Sequence, residues 1–419
     1  MTAQAVAVQP MSDRRTTAIV ALMALAVFIN YVDRGNLATA APLIKDELHL
    51  NNTQVGLLLS AFFWAYTPGQ VFAGWLAERI NAYRALALGL TVWALATAAT
   101  GLGASFAVLF GLRMILGLGE SVAFPCSSKL LAEYLPTHRL GHANGMIGAG
   151  LALGPAVGTL AGGLLIARYG WRPSFIVFGL ISLFWLVPWL TVTRAASGEA
   201  SGRAAQAPAP PFLAILRQRS LWGAALGHFA ANYTLYFVVS WLPTYLVKAQ
   251  GFTVRQMAEL GGAVYLVYAA SCLGVGWICD RWMAAGGGDN QVRKTMMVAG
   301  HTGAAACLAA CAVAGVRGFP AAILVSLLLA GFFFGFTTPN IFAIGQTLAG
   351  PRAAGKWIGV QNCLGNIAGI VAPIITGVVV DRTGAFVWAF VIAAGVGLLG
   401  VVGWGVIIPR VAPVDWEEA

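Results

Sequence analysis

Twelve predominantly apolar stretches, each about 20 residues or longer, constrain this chain most, because a helix needs that length to cross the hydrocarbon core of a bilayer. They lie near 17–40, 53–77, 84–103, 105–134, 140–166 and 172–193, and then near 218–247, 254–279, 294–315, 319–349, 357–381 and 385–408. Lipid offers no partners for backbone N–H and C=O groups, so such segments must be helices. The expected fold class is an all-α integral membrane protein with twelve transmembrane helices. Only 10% of the 419 residues are charged, against roughly 25% in ordinary globular domains, which excludes a soluble fold. The net charge of +10 does not gather on one face with interleaved aromatics, so nucleic acid is excluded as a partner and the lipid bilayer is the expected surrounding. Arg14 and Arg15 precede the first stretch, but a run of this length containing Asp33 and Arg34 reads as a retained span, not a cleaved signal.

Residues 194–211, RAASGEASGRAAQAPAPP, lack an apolar period and have a linker composition. They divide the chain into an N-terminal tail (1–16), a six-helix bundle (17–193), a linker (194–217), a second six-helix bundle (218–408) and a C-terminal tail (409–419). An internal echo supports the division: Gly74-Trp75-Leu76-Ala77-Glu78-Arg79 closes the second span and Gly276-Trp277-Ile278-Cys279-Asp280-Arg281 closes the eighth. Transporters built from structural repeats carry such weak symmetry. Of the 25 Lys and Arg, sixteen fall on the side of the termini and even-numbered connections and seven on the other. The positive-inside rule then places both termini and the linker in the cytoplasm.

The two basic residues left over, Arg34 and Arg113, lie inside spans, as do two acids, Asp33 and Glu120. A charge facing lipid at a span centre costs roughly 2.5 to 3.5 kcal/mol or more, so these four should face a protein interior or a wet cavity. At about 1.5 Å per residue, Asp33 lies roughly 10 Å and Arg113 roughly 12 Å below the outer boundary, close enough in depth to pair. Glu120 is two turns deeper on the face of Arg113, near the level of Tyr66, and Arg34 is long enough to reach either carboxylate. Protonating a carboxyl would free a guanidinium, whose planar fork suits a substrate carboxylate, so proton and anion binding would favour each other. The competing reading is two static ion pairs that only fix helix packing.

The second half holds no charge away from its span ends. Asn340, Gln361, Asn362 and Asn366 are its candidates for hydrogen bonds to a polar substrate, with helix-to-helix bonding as the competing role. His228, near Asn232 and Tyr236 on one stripe, is a second candidate proton site or a packed residue. Gly150, Gly154 and Gly158 repeat every four residues around Pro155, a pattern of close packing with a bend point, and Gly359 to Gly377 has a similar character. The six cysteines form no CxxC and have no His partners at metal spacing. No Ser/His/Asp set or phosphate loop is present, so the chain is not expected to be an enzyme, and no cofactor or metal is expected.

The segment GWLAERI followed by Arg84 resembles the loop signature of the major facilitator superfamily, with Glu78 for the usual Asp and Asn81 for the usual Gly. More specifically, Asn30-Tyr31-Val32-Asp33-Arg34-Gly35-Asn36-Leu37 and the segment from Leu112-Arg113 through Glu120 to Phe124-Pro125 resemble the first- and fourth-span signatures of the anion:cation symporter family. That family includes bacterial sugar-acid permeases and vesicular glutamate and sialic acid carriers. The resemblance covers nearly the whole chain. It implies ion- or proton-coupled transport of a small organic anion by alternating access, in a bacterial inner membrane, by a monomer. By motif position it implies proton coupling at Asp33, Glu120 and Arg113, and substrate contact at Arg34, Tyr31, Tyr66 and Asn362. Leu151 stands where galactonate-type permeases carry a hydroxyl-reading Gln, which implies a less hydroxylated or aromatic acid. The GPxxG at Gly154 also resembles an antiporter signature, so a proton-driven exporter of hydrophobic compounds is the alternative, followed by a non-transporting receptor on the same fold.

Overall fold

The computed structural model describes residues 13–50, 52–202 and 209–417. Most of the expected N-terminal tail, part of the linker including Arg203, and the last two residues of the C-terminal tail lie outside the described residues. The described residues form helices and no strand. In the first half these are α1 (Asp13–Glu47), α2 (Asn52–Arg79), α3 (Ala82–Thr100), α4 (Phe106–Glu120), α5 (Ala123–Tyr134), α6 (Leu140–Tyr169), α7 (Trp171–Leu183) and α8 (Leu186–Gly202). A short α9 (Phe212–Leu216) precedes α10 (Arg219–Thr244), α11 (Val254–Ala284), α12 (Asp289–Arg317), α13 (Pro320–Asn366), α14 (Ala368–Thr383) and α15 (Val387–Val401).

Among the described residues, ten stretches are long and apolar enough to cross a membrane, and one of them, Pro320–Thr383, has 64 residues. It makes two passes, because the backbone leaves helical geometry at Gly350 (φ 63°), a conformation only glycine adopts easily, just before Pro351. Helix α10, 26 residues long and carrying His228 and Asn232, completes the twelve.

Interruptions inside spans have local causes. Pro125 has no N–H for the Ser121 carbonyl, and the fourth span breaks between α4 and α5 directly after Glu120. Pro188 does the same at Phe184, between α7 and α8. The expected bend at Pro155 does not interrupt α6, which is continuous from Leu140 to Tyr169. Its glycines serve close packing instead: a Cβ at Gly150, Gly154 or Gly158 would meet α1 backbone at Ala24, Phe28 or Val32. The eleventh span does break, at Ile367 between α13 and α14. The expected linker starts as helix, since α8 runs on to Gly202 through an Ala-rich stretch that contains no proline.

The halves meet where α2 and α5 pack on α13 and α6 packs on α11 and α13. The two echo motifs occupy matching places in this contact. A Cβ on Gly74 would strike the Gly355 backbone, and one on Gly276 the Gly141 backbone. Arg79 lies 5.2 Å from the Trp75 ring and Arg281 5.3 Å from the Trp277 ring. All of this lies toward the end of the molecule that bears the chain termini. The C-terminal tail docks there too, Trp416 Nε1 donating to the Ala349 carbonyl at 2.9 Å and Val414 N–H to Leu348 at 2.9 Å.

Candidate functional site

Consecutive residues on a helix diverge by about 100°, so Asp33 and Arg34 cannot face the same neighbour. Arg34 turns toward α4, where its Nε donates to Glu120 Oε2 at 3.1 Å; the Glu120 side chain is fully buried. The guanidinium is stacked among aromatic rings, 4.4 Å from the centroid of Tyr31, 4.5 Å from Phe62 and 4.6 Å from Tyr66. Asp33 faces α3 and accepts from Thr97 Oγ1 at 3.3 Å. It closes no ion pair with Arg113, whose Nε lacks a hydrogen-bond partner and whose guanidinium lies 5.7 Å from the Phe62 ring. Both Asp33 and Arg113 are buried. Among the described residues the four charges thus form one ion pair rather than two, and the depth-matched Asp33–Arg113 pair is absent in this state.

Beside Arg34 lies a cavity between the halves. Tyr31, Tyr66, Leu151 and Asn362, all expected at the substrate, line it, as do His228, Asn232, Tyr236 and Asn366. Gln361 and Asn340, also expected there, do not. Gln361 accepts from Trp357 Nε1 at 3.0 Å and donates to the Ile341 carbonyl at 3.3 Å. Asn340 accepts from Arg293 Nη1 at 3.0 Å and donates to the Phe336 carbonyl at 2.8 Å. Both amides hold helices together within the second half.

Several lining residues, Tyr268, Thr338 and Phe342 among them, gave no signal in the sequence, whereas Phe124 falls in the fourth-span signature. Tyr268 and Thr338 share a 2.5 Å hydrogen bond, and Phe124 stacks on Phe342 across the halves with centroids 4.7 Å apart. Apolar runs contain many such aromatics, and spacing alone does not separate lining from packing. Away from the termini, the halves touch at the rings of Phe63 and Tyr236, 6.0 Å apart, and the Tyr236 hydroxyl donates to Asn366 Oδ1 at 2.9 Å.

At the terminus-bearing end the loop motifs tie the halves. Glu78 Oε1 accepts from the Gly355 N–H at 2.9 Å and Oε2 pairs with Lys129 at 2.6 Å, while Lys129 also donates to the Pro351 carbonyl at 2.5 Å. Asp280 mirrors Glu78, accepting from the N–H groups of Gly141 at 2.9 Å and His142 at 2.7 Å at the start of α6. Carboxylates belong there, because a helix N-terminus presents unpaired N–H groups and partial positive charge. Arg293, which sequence reading assigns to the connection before the ninth span, is fully buried, and its Nη2 donates to the Thr137 carbonyl of the other half at 3.1 Å.

A paired-bundle architecture with a central cavity and mirrored loop motifs agrees with the comparisons. The Major Facilitator Superfamily model matches residues 23–373 and 288–419. The chain belongs to the major facilitator superfamily. Relatives within this superfamily include the probable sulfoacetate transporter of Cupriavidus necator, 29% identical over 399 residues with 91% of each chain covered. The hexuronate transporter of Bacillus subtilis is 28% identical over 391 residues, covering 91% of this chain and 92% of the relative. In fold, the chain is similar to the major facilitator proton:xylose symporter solved with 6-bromo-6-deoxy-D-glucose bound. That likeness has a TM-score of 0.77 over 96% of this chain and 98% of the other, at 14% identity. As a member of the superfamily the protein is a multi-pass membrane transporter and not an enzyme.

Proposed function

We propose that this protein imports an organic anion, a sugar acid or other carboxylate, together with protons across the bacterial inner membrane. Both termini lie in the cytoplasm, and a monomer forms the pathway. The observation that carries the reading is the Arg34–Glu120 pair beside a cavity walled by both halves. A buried arginine held by a buried carboxylate is a charge held in reserve. When Glu120 takes a proton the guanidinium loses its internal partner, and a substrate carboxylate supplies the missing negative charge with matching fork geometry. Proton and substrate therefore raise each other's affinity, as reciprocal linkage requires.

Asp33 is the second proton carrier and Arg113 the cation shared between the two carboxyls. Two protons entering with a monoanion carry a net charge of +1, so uptake is electrogenic. The ties at Glu78, Lys129 and Asp280 hold the cytoplasmic side shut while the cavity loads from outside. Rocking of the two bundles around the site then breaks these ties and exposes the cavity inward. Inside, deprotonated Glu120 recaptures Arg34 and expels the anion.

The test uses purified protein in proteoliposomes, with labelled sulfoacetate, D-galacturonate and 4-hydroxybenzoate supplied outside and protein-free vesicles subtracted. An acid-outside gradient should accelerate uptake of at least one acid, and a protonophore should abolish the acceleration. Uptake that ignores the gradient would refute proton symport.

A further inference from the structure

On the second-half wall of the cavity, the polar groups are largely committed to one another. Tyr268 is bonded to Thr338, Tyr236 to Asn366, and Asn366 Nδ2 to Asn362 Oδ1 at 2.9 Å, while Asn232 Nδ2 donates to the Gly365 carbonyl at 3.2 Å. Few groups remain for a ligand: the Asn362 amide N–H₂ and His228 Nδ1 have no partner, and Tyr31 and Tyr66 line the cavity from the first half. The rest of the wall is aromatic or aliphatic, with Leu151 on the first half and Phe342 on the second. Arg34 itself sits in an aromatic cage. Among the described residues no Lys or Arg lines the cavity, so Arg34 against its wall is the nearest cation to it. An adjoining apolar cavity shares Leu235, Tyr268 and Phe334 with the first.

We infer that the substrate is an aromatic monocarboxylate, its carboxylate on Arg34 and its ring against the aromatic walls, with one polar ring substituent accepting from Asn362. This deepens the anion-symport reading and rests on it. A hexonate brings five hydroxyls against a second-half wall whose amides and hydroxyls are largely bonded to one another, and each hydroxyl left unpaired there weakens binding. One added hydroxyl in an apolar pocket is rejected by up to about 100-fold, so several together should exceed that. A second anionic group, as in a carboxylate that also bears a sulfonate, would find no second cation. A flat ring meets the walls that are present, with offset or edge-on contacts to Tyr and Phe.

The experiment is calorimetric titration of the full-length protein in detergent at pH 6 with 4-hydroxybenzoate, D-galactonate and sulfoacetate. The aromatic acid should bind at least 100-fold more tightly than either of the others. Leu151→Gln, which places an amide in the cavity, should narrow its margin over D-galactonate at least tenfold. Tighter binding of D-galactonate or sulfoacetate overturns the substrate class; gradient-driven uptake of that same acid in proteoliposomes would then show the symport reading intact. Failure of all three acids to bind overturns both.

Discussion

Arg34 Nε and Glu120 Oε2 stand 3.1 Å apart, joining the first and fourth spans through a pair whose acid is fully buried and whose base touches three aromatic rings. Such a pair resists simple loss of one partner, because the survivor is left as an uncompensated buried charge. Glu120→Gln keeps the shape and the hydrogen-bonding oxygen but stays neutral at every pH. Counterflow exchange of substrate should survive in this variant, while accumulation driven by an acid-outside gradient falls at least tenfold. Equal accumulation in wild type and variant would remove Glu120 from coupling.

Arg34→Lys retains the charge and loses the planar fork and the stacking on Tyr31, Phe62 and Tyr66. The apparent KM for the carboxylate should rise about 10-fold to 100-fold, as expected for losing about 1.4 to 2.7 kcal/mol of bidentate and cation–π contact. An unchanged KM would place the substrate elsewhere.

Cys272 offers a built-in reporter of opening at the terminus-bearing end. It is fully buried, and its carbonyl and thiol lie against Gly145 and Gly148 of α6. Asp280→Asn weakens the carboxylate contact with the start of α6 and should favour separation of α6 from α11. In a background retaining Cys272 as the single cysteine, maleimide labelling should be several times faster in Asp280→Asn than in the parent. Identical rates would mean that the tie does not hold this interface closed.

Glu47, beyond the first span, accepts from Trp171 Nε1 at 2.6 Å and from Arg172 Nε at 2.8 Å. The Trp171 hydrogen bond, then that of Arg172, hold its carboxyl below its ordinary value of 4.5. A carboxyl lowered in the folded state contributes stability above its unfolded pKa and loses it as pH falls through the folded pKa. The side chain is 45% exposed, so the gain is small. Glu47→Gln should lower the Tm by about 2 °C or less at neutral pH, with the difference vanishing in acid below the carboxylate range. A difference that grows in acid would contradict the assignment.

Much of this molecule was legible in its sequence. Span length and the placement of Asp33, Arg34, Arg113 and Glu120 depend on local composition, and the Gly74 and Gly276 motifs mark matching positions whatever the tilt of their helices. Partner choice was less legible. Whether Asp33 meets Arg113 or Thr97 depends on the rotation of α1, and an error of a few residues in a span's end turns a helix by more than half a revolution. The same uncertainty hides whether Asn340 and Gln361 point to the cavity or to Arg293 and Trp357. Arg293 was misplaced for a related reason: a charge near a span end reads as loop, yet the neighbouring half covers it.

The central claim is that proton binding at Glu120 and carboxylate binding at Arg34 are one linked event. Proton uptake during substrate binding tests it most directly, followed with a pH indicator in weakly buffered detergent solution near neutral pH as the tightest-binding carboxylate is added. The wild type should take up about two protons per substrate bound, and Glu120→Gln should take up about one fewer. Binding without proton uptake, or with equal uptake in both proteins, would contradict the account.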